Sequence, residues 1–310
     1  MRKYPFDTQL PVLGLDVGGT YVRFALALDH CIIASRKCTW PAGLTPEDEV
    51  HFITDEALKL AYENESSTLG AVGISLAALV DRDGSVVQWP NRPTWRGLKV
   101  RALLEEKFGV PVAIEDDANT AALAEYTFGA ARGYQHVLVV MVGTGVGAGL
   151  ILNGRLFRGL RGWAGELGHV VMLPEGPECS CGHRGCLQML VSGRALERSA
   201  IDHGLVGARE LAQAAEQGKV WAIEAVEASG RWLGLAVANV VTLLDLEAVV
   251  VGGGVSALGR QWWHALNGAL RANILNSQHR EIELRRTELA DTAGLLGAVS
   301  LAHNLLEEQV

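Results

Sequence analysis

The chain lacks any apolar run approaching ~18 residues, so no segment reads as a transmembrane helix. Its opening, MRKYPFDTQL, has two basic residues but no apolar stretch. It does not read as a secretory leader, and a cytoplasmic location is expected. Proline is scarce at 9 residues, and the 36 glycines follow no G-X-Y period. Collagen and proline-rich linkers are excluded, so the glycines must serve particular turns. Positive charge is in deficit: 27 Lys and Arg against 35 Asp and Glu leave a net charge of −8. That balance disfavours nonspecific binding to nucleic acid or anionic membrane. Cysteine is sparse, five in all and an odd number, and three fall within eight residues of one another. In a reducing compartment that clustering suggests metal rather than disulfides.

What is present is an ordinary globular composition, 49% apolar and 20% charged, over 310 residues. A single core usually splits at that length, so two lobes are expected. Residues 11–18 and 21–28 read as strands around a Gly-Gly-Thr turn, with a third strand near 31–38. Helices are expected at 47–63 and 98–108, strands at 70–76 and 112–115, and a further helix from near Asn119. The second half restarts the pattern with strands 137–142 and 147–152 around GTGVG, then a loop-rich insertion over 154–192. Helices follow at 193–203, 208–217, 219–243 and 256–274, with the apolar strand LEAVVVGGGV between the last two, and a helix over 293–307 closes the chain. The order predicts an α/β protein of two topologically similar lobes. Trp221, Trp232, Trp262 and Trp263 fall on the long helices and are expected mainly in the core. Cys31 and Cys38 are read as packing residues.

Three glycine turns suggest phosphate handling. Asp16-Val-Gly-Gly-Thr20 and Gly143-Thr-Gly-Val-Gly147 each lie between strands, where bare backbone amides can approach an anion and a threonine hydroxyl can donate. Neither is a Walker A loop or a dinucleotide fingerprint. Asp16 can hold magnesium, usually through water. Gly252-Gly-Gly254 ends a buried strand, where a base or ribose can pack. Glu115, Asp116 and Asp117 crowd a strand-to-helix junction. One suits helix capping, and one suits a general base for phosphoryl transfer. Cys179, Cys181 and Cys186, with one histidine, supply a closed tetrahedral zinc set; His169 and His183 are the two candidates for that histidine.

Together LGLDVGGTYVRFAL, IEDDANTAALAE, VGTGVGAGLILNG, GELGH, CSCGHRGC and VVVGGGV resemble the ROK family of sugar kinases, repressors and open reading frames, over about residues 11–303. The resemblance implies the two-lobed actin/hexokinase/Hsp70-type (ribonuclease H-like) ATPase fold, closing on ATP and sugar. It implies a small lobe of 1–117 with 293–310, and a large lobe of 118–292 with a zinc loop at 165–188. It implies that Asp117 is the catalytic base, commonly toward a 6-hydroxyl. Asp16, Gly18, Gly19, Thr20, Gly143, Thr144 and Gly145 would cradle ATP with Mg2+, and Gly253 and Gly254 would flank adenosine. Asn91, Glu166 and His169 match sugar-contacting positions, and His169 joins Cys179, Cys181 and Cys186 on a structural Zn2+. A homodimer is implied as well.

Three departures fall in the expected sugar pocket: Gln188 for a glutamate, Asp116 for an asparagine, and Ala77-Ala78 for Pro-Gly. Such swaps alter which hydroxyls a pocket can recognise. The expected activity is ATP-dependent phosphorylation of a hexose or N-acetylhexosamine. Two alternatives stand beside it. One is a noncatalytic sugar sensor. The other is a DNA-binding repressor, disfavoured because only about ten residues precede the first strand, too few for a helix-turn-helix domain.

Overall fold

A computed structural model describes residues 10–275 and 281–308; residues 1–9 of the opening segment lie outside these. The chain forms two compact units: Met1–Thr127, Arg158–Ala164 and Asp291–Val310 in the first, Phe128–Phe157 and Gly165–Ala290 in the second.

The first unit begins with β1 (Val12–Val17), β2 (Tyr21–Leu28) and β3 (Cys31–Thr39), an antiparallel meander. Helix α1 (Pro46–Glu63) starts at a capping box, with Thr45 accepting from the Asp48 amide and Pro46 in the first turn. Its face of Val50, Ile53, Ala57, Leu60 and Ala61 is buried. The fully buried β4 (Val72–Leu76) follows, then a short hairpin of β5 (Leu79–Val80) and β6 (Val86–Gln88). Helix α2 (Val100–Phe108), β7 (Val112–Asp116) and α3 (Asp117–Phe128) come next. The sheet order is β3-β2-β1-β4-β7, with β4 and β7 parallel to β1.

In the second unit β8 (Val137–Val142), β9 (Val146–Leu152) and the two-residue β10 (Arg155–Leu156) form another meander. Helices α4 (Gln188–Val191), α5 (Gly193–Ile201), α6 (Ala208–Glu216) and α7 (Val220–Leu244) precede β11 (Ala248–Gly252). Then come α8 (Arg260–Asn273) and β12 (Glu283–Arg286). The order β10-β9-β8-β11-β12 repeats that of the first unit, again with the last two strands parallel to the first. Trp262 lies in this unit's core, and Trp221, Trp232 and Trp263 pack half-buried against it. The chain returns to the first unit as α9 (Ala293–Glu308). Among the described residues no helix is long and apolar enough to cross a membrane.

Several local expectations change. α3 opens at Asp117, two residues before Asn119, and it belongs to the first unit instead of the second. There Gly297 of α9 lets the helices approach so closely that a Cβ would lie 2.0 Å from the Thr120 carbonyl. α8 starts at Arg260, because Gly259 at φ +96° ends a preceding 3-10 turn. β12 was not expected, since its ELRR sequence has no apolar alternation and its residues are largely exposed. Cys31 is exposed, not packed, and Cys38 is half-buried with its thiol 3.6 Å from Glu56 Oε2.

Candidate active site and metal centre

In the first unit Val17, Leu76 and Asp116 are in register across β1, β4 and β7. Gly18, Ala77 and Asp117 therefore leave the sheet at the same carboxyl edge, the edge where ligands of such sheets sit. At ~4.8 Å per strand, the Gly18 turn and Asp117 are about 10 Å apart. The turn closes by a bond from the Gly18 amide to the Tyr21 carbonyl, 3.0 Å. Asp16 faces Arg23 across the β1–β2 pair, with an ion pair of 2.6 Å, and Ser75 is its register partner on β4. Burial raises the Asp16 pKa, while Arg23 and Ser75 oppose that rise. With one oxygen engaged by Arg23, Asp16 fits a hydrated cation held through water rather than a directly coordinated one.

The three carboxylates at the β7–α3 junction have different neighbours. Glu115 pairs with Arg158. Asp116 Oδ1 caps α3 by accepting from the Asn119 amide at 2.8 Å, and its Oδ2 accepts from Asn119 Nδ2 at 2.5 Å. The capping role thus falls to Asp116, and Asp117 is the first residue of the helix. A small pocket of about 70 Å³ lies beside them, lined among others by Asp81, Arg82, Glu115, Asp116 and Arg158. Asn91 is exposed and packs on the Gly18-Gly19 turn: a Cβ on Gly19 would lie 2.9 Å from Asn91 Cβ and Nδ2.

In the second unit the Gly143 amide bonds the Gly145 carbonyl at 2.9 Å across the β8–β9 turn, next to Thr144. Parallel pairing of Met141 with Gly252 brings Gly253 and Gly254 to the same sheet edge as Gly143. Glu166 precedes a one-turn 3-10 helix, Leu167–His169, seated on β9. There Gly165 and Gly168 lie so near the Ala148 and Val146 carbonyls that a Cβ would come within 2.2 Å. Glu166 Oε2 is 4.0 Å from His169 Nε2. Desolvation raises the Glu166 pKa, and His169 opposes it.

The ligand atoms of His169, Cys179, Cys181 and Cys186 all lie within 4.8 Å of one another. The Cys179–His169 and Cys181–Cys186 separations are both 3.6 Å. Tetrahedral zinc with Zn–S near ~2.3 Å and Zn–N near ~2.05 Å has edges of about 3.6–3.8 Å. The four residues fit that ion; His183, whose Nδ1 lies 3.4 Å from Cys181 Sγ, is not one of this group. Gly185 makes the loop possible, since a Cβ there would fall 1.5 Å from the Leu173 carbonyl. Burial and the neighbouring sulfurs raise the Cys186 thiol to about 12. Burial also raises Cys179, but the Cys181 backbone N–H and the Gln188 amide bring it down to about 6. Gln188 Nε2 donates to Cys179 Sγ at 3.1 Å. A Cβ on Gly145 would lie 3.1 Å from Gln188 Oε1, so this amide ties the metal loop to the second glycine turn. Neither that link nor the pairing of Glu115 is legible in the sequence, since both join residues distant along the chain.

The family described as ROK matches residues 12–305. A kanosamine kinase from Amycolatopsis mediterranei (strain S699) is 35% identical over 293 residues, covering 94% of this chain and 95% of that one. The crystal structure of a ROK hexokinase from Thermus thermophilus is 36% identical, with a TM-score of 0.89, over 96% of this chain and all of that one. A ROK family glucokinase from Streptomyces griseus, in complex with glucose and AMPPNP, is 32% identical, with a TM-score of 0.77, over 95% of this chain and 99% of that one.

Proposed function

Because this chain belongs to the ROK family, we propose that it is an ATP-dependent sugar kinase that phosphorylates a hexose or N-acetylhexosamine, at the 6-hydroxyl. The observation that carries the reading is the register of β1, β4 and β7, which sends the Gly18 turn and Asp117 from one sheet edge.

In this proposal Gly18, Gly19 and Thr20 in the first unit, and Gly143, Thr144 and Gly145 in the second, present amides and hydroxyls to the phosphates. Gly253 and Gly254 flank the adenosine. Asn91 and Asp116 in the first unit, and Glu166, His169 and Gln188 in the second, orient the sugar. Asp117 accepts the proton of the attacking hydroxyl as its oxygen bonds the γ-phosphorus and the bond to ADP breaks. Asp16 would hold magnesium through water, and the ion would supply charge neutralisation at the phosphates. His169, Cys179, Cys181 and Cys186 would hold zinc, which supplies rigidity to the loop that carries His169. A homodimer is part of the same proposal.

The test is sugar-dependent ADP release over glucose, mannose, fructose, allose, N-acetylglucosamine, N-acetylmannosamine and kanosamine. Turnover of at least one at ~1–10³ s⁻¹ is expected, with Asp117→Asn folded and at least ~10³-fold slower. Full turnover in that variant removes Asp117 from the base role. Sugar binding without ADP release from the wild type favours a noncatalytic sensor instead.

A further inference from the structure

We infer that a buried Glu49–Arg92 pair, with Trp40, is the positioning device that aims the Gly19 and Thr20 amides at phosphate and holds Asn91 against the same turn; this rests on the kinase reading above.

Glu49 lies in the first turn of α1 with Glu47 and Asp48, where acids normally face water. It is instead only 5% exposed. Its two oxygens are divided between Arg92 Nη1 and the indole N–H of Trp95. Thus anchored, the Arg92 guanidinium lies 3.9 Å from the centre of the Trp40 ring. Its Nη2 reaches the Gly19 carbonyl at 3.4 Å. The Trp40 indole N–H donates to the Gly18 carbonyl at 2.9 Å. Trp89 packs edge-on to Trp95 at 4.8 Å and closes the cluster.

Two consecutive carbonyls of the turn are therefore held by one cluster. A peptide unit is planar and trans, so its C=O and the following N–H point in opposite directions. Holding the Gly18 carbonyl fixes the direction of the Gly19 amide. Holding the Gly19 carbonyl fixes that of Thr20. These are two of the amides assigned above to phosphate. Arg92 also directly follows Asn91, whose side chain sits against Gly19. One guanidinium thereby sets the phosphate turn and the sugar-contacting asparagine together. Lysine cannot replace it, because a point charge lacks the flat face and the fork.

The experiment is calorimetric titration of wild type, Arg92→Lys and Trp40→Phe with Mg-AMPPNP and with each sugar of the panel, alongside a melting curve for each protein. Trp40→Phe keeps the ring but loses the Gly18 bond. It should weaken AMPPNP about tenfold and leave sugar affinity within about twofold. Arg92→Lys should weaken both by about tenfold. If Arg92→Lys does not fold, Trp40→Phe decides the matter alone. Folded variants that bind both ligands like wild type overturn this inference and leave the kinase reading standing. A wild type that binds neither AMPPNP nor any sugar overturns both.

Discussion

Glu115, Asp116 and Asp117 are adjacent in sequence, yet the fold sets each a different task. Before folding, one methylene separates Glu115 from the two aspartates and only position separates those two; Arg158, the partner of Glu115, is 43 residues away. The cap was foreseeable in kind, since a strand-to-helix junction needs an acceptor for its first amides. Which acid would take it was not. Glu49 makes the same point more sharply: from its sequence it is one more acid in a first helical turn, and only the tertiary fold buries it under Arg92. His303 is a third such residue and carries a prediction. It lies 6% exposed on α9, where Nε2 accepts from the His30 amide at 3.1 Å and the two rings stand 4.0 Å apart. Burial, then His30, lowers its pKa from 6.5 to about 4, with Asp29 opposing. The folded value lies below the unfolded one, so the unfolded chain binds the extra proton first. The resulting stability is complete above about pH 6.5 and is lost as pH falls toward 4. Melting temperatures at pH 7 and pH 5 should therefore differ less in His303→Gln than in wild type. Equal differences would show that His303 titrates no differently in the folded protein.

Elements were legible where pattern and punctuation agree. β1, β8 and β11 are apolar runs that end in glycine turns, and α1 announces itself with Thr45, Pro46 and Asp48. β12 was not legible, because edge pairing to β11 needs backbone groups and places few demands on side chains. The packing of α9 on its sheet was also hidden, although the glycines that permit it stand in plain view. Gly73 of β4 is so close to α9 that a Cβ would lie 1.9 Å from the Ala298 carbonyl. Backbone on both sides cannot yield as a side chain can. Gly73→Ala should cost about 3 kcal/mol or more, lowering the melting temperature by roughly 6–12 °C. Gly268 of α8 is the contrast: it is exposed, with nothing within 4 Å of a Cβ. Gly268→Ala should raise stability by about 0.5–1 kcal/mol through helix propensity. Thermal melts of the pair check both signs; a Gly73→Ala as stable as wild type would mean that α9 can shift away without cost.

At the scale of the whole molecule, the repeated sheet order explains why composition and turn pattern revealed two similar lobes without a sequence repeat. Topology is preserved by where strands and glycine turns fall, not by residue identity. The proposed substrate contacts draw on both units, but on different kinds of support. Asn91, Asp116 and Asp117 belong to the first unit; the two aspartates leave a regular sheet edge, and Asn91 packs on the Gly18-Gly19 turn. Glu166 and His169 belong to the second, on a loop with little regular structure of its own beyond one 3-10 turn and isolated backbone bridges. Its ends, Leu167 and Leu187, join the unit's core with Met172 packed beside them, and in the proposal the three thiols and His169 set the shape of the rest. The protein purified without chelator should carry about one zinc per chain by elemental analysis. Its removal frees His169 and three sulfurs crowded within 4.8 Å, and Gln188 loses a fixed partner in Cys179. Hydrogen exchange should then quicken across residues 166–188 while the amides of β1, β4 and β7 stay protected. Sugar affinity should fall by about tenfold or more, as losses around a metal site commonly do. Cys186→Ser should reproduce both effects without chelator. Protein that contains no zinc as purified, or that exchanges at 166–188 alike with and without it, would remove the metal from this loop and leave its shape to the glycines alone.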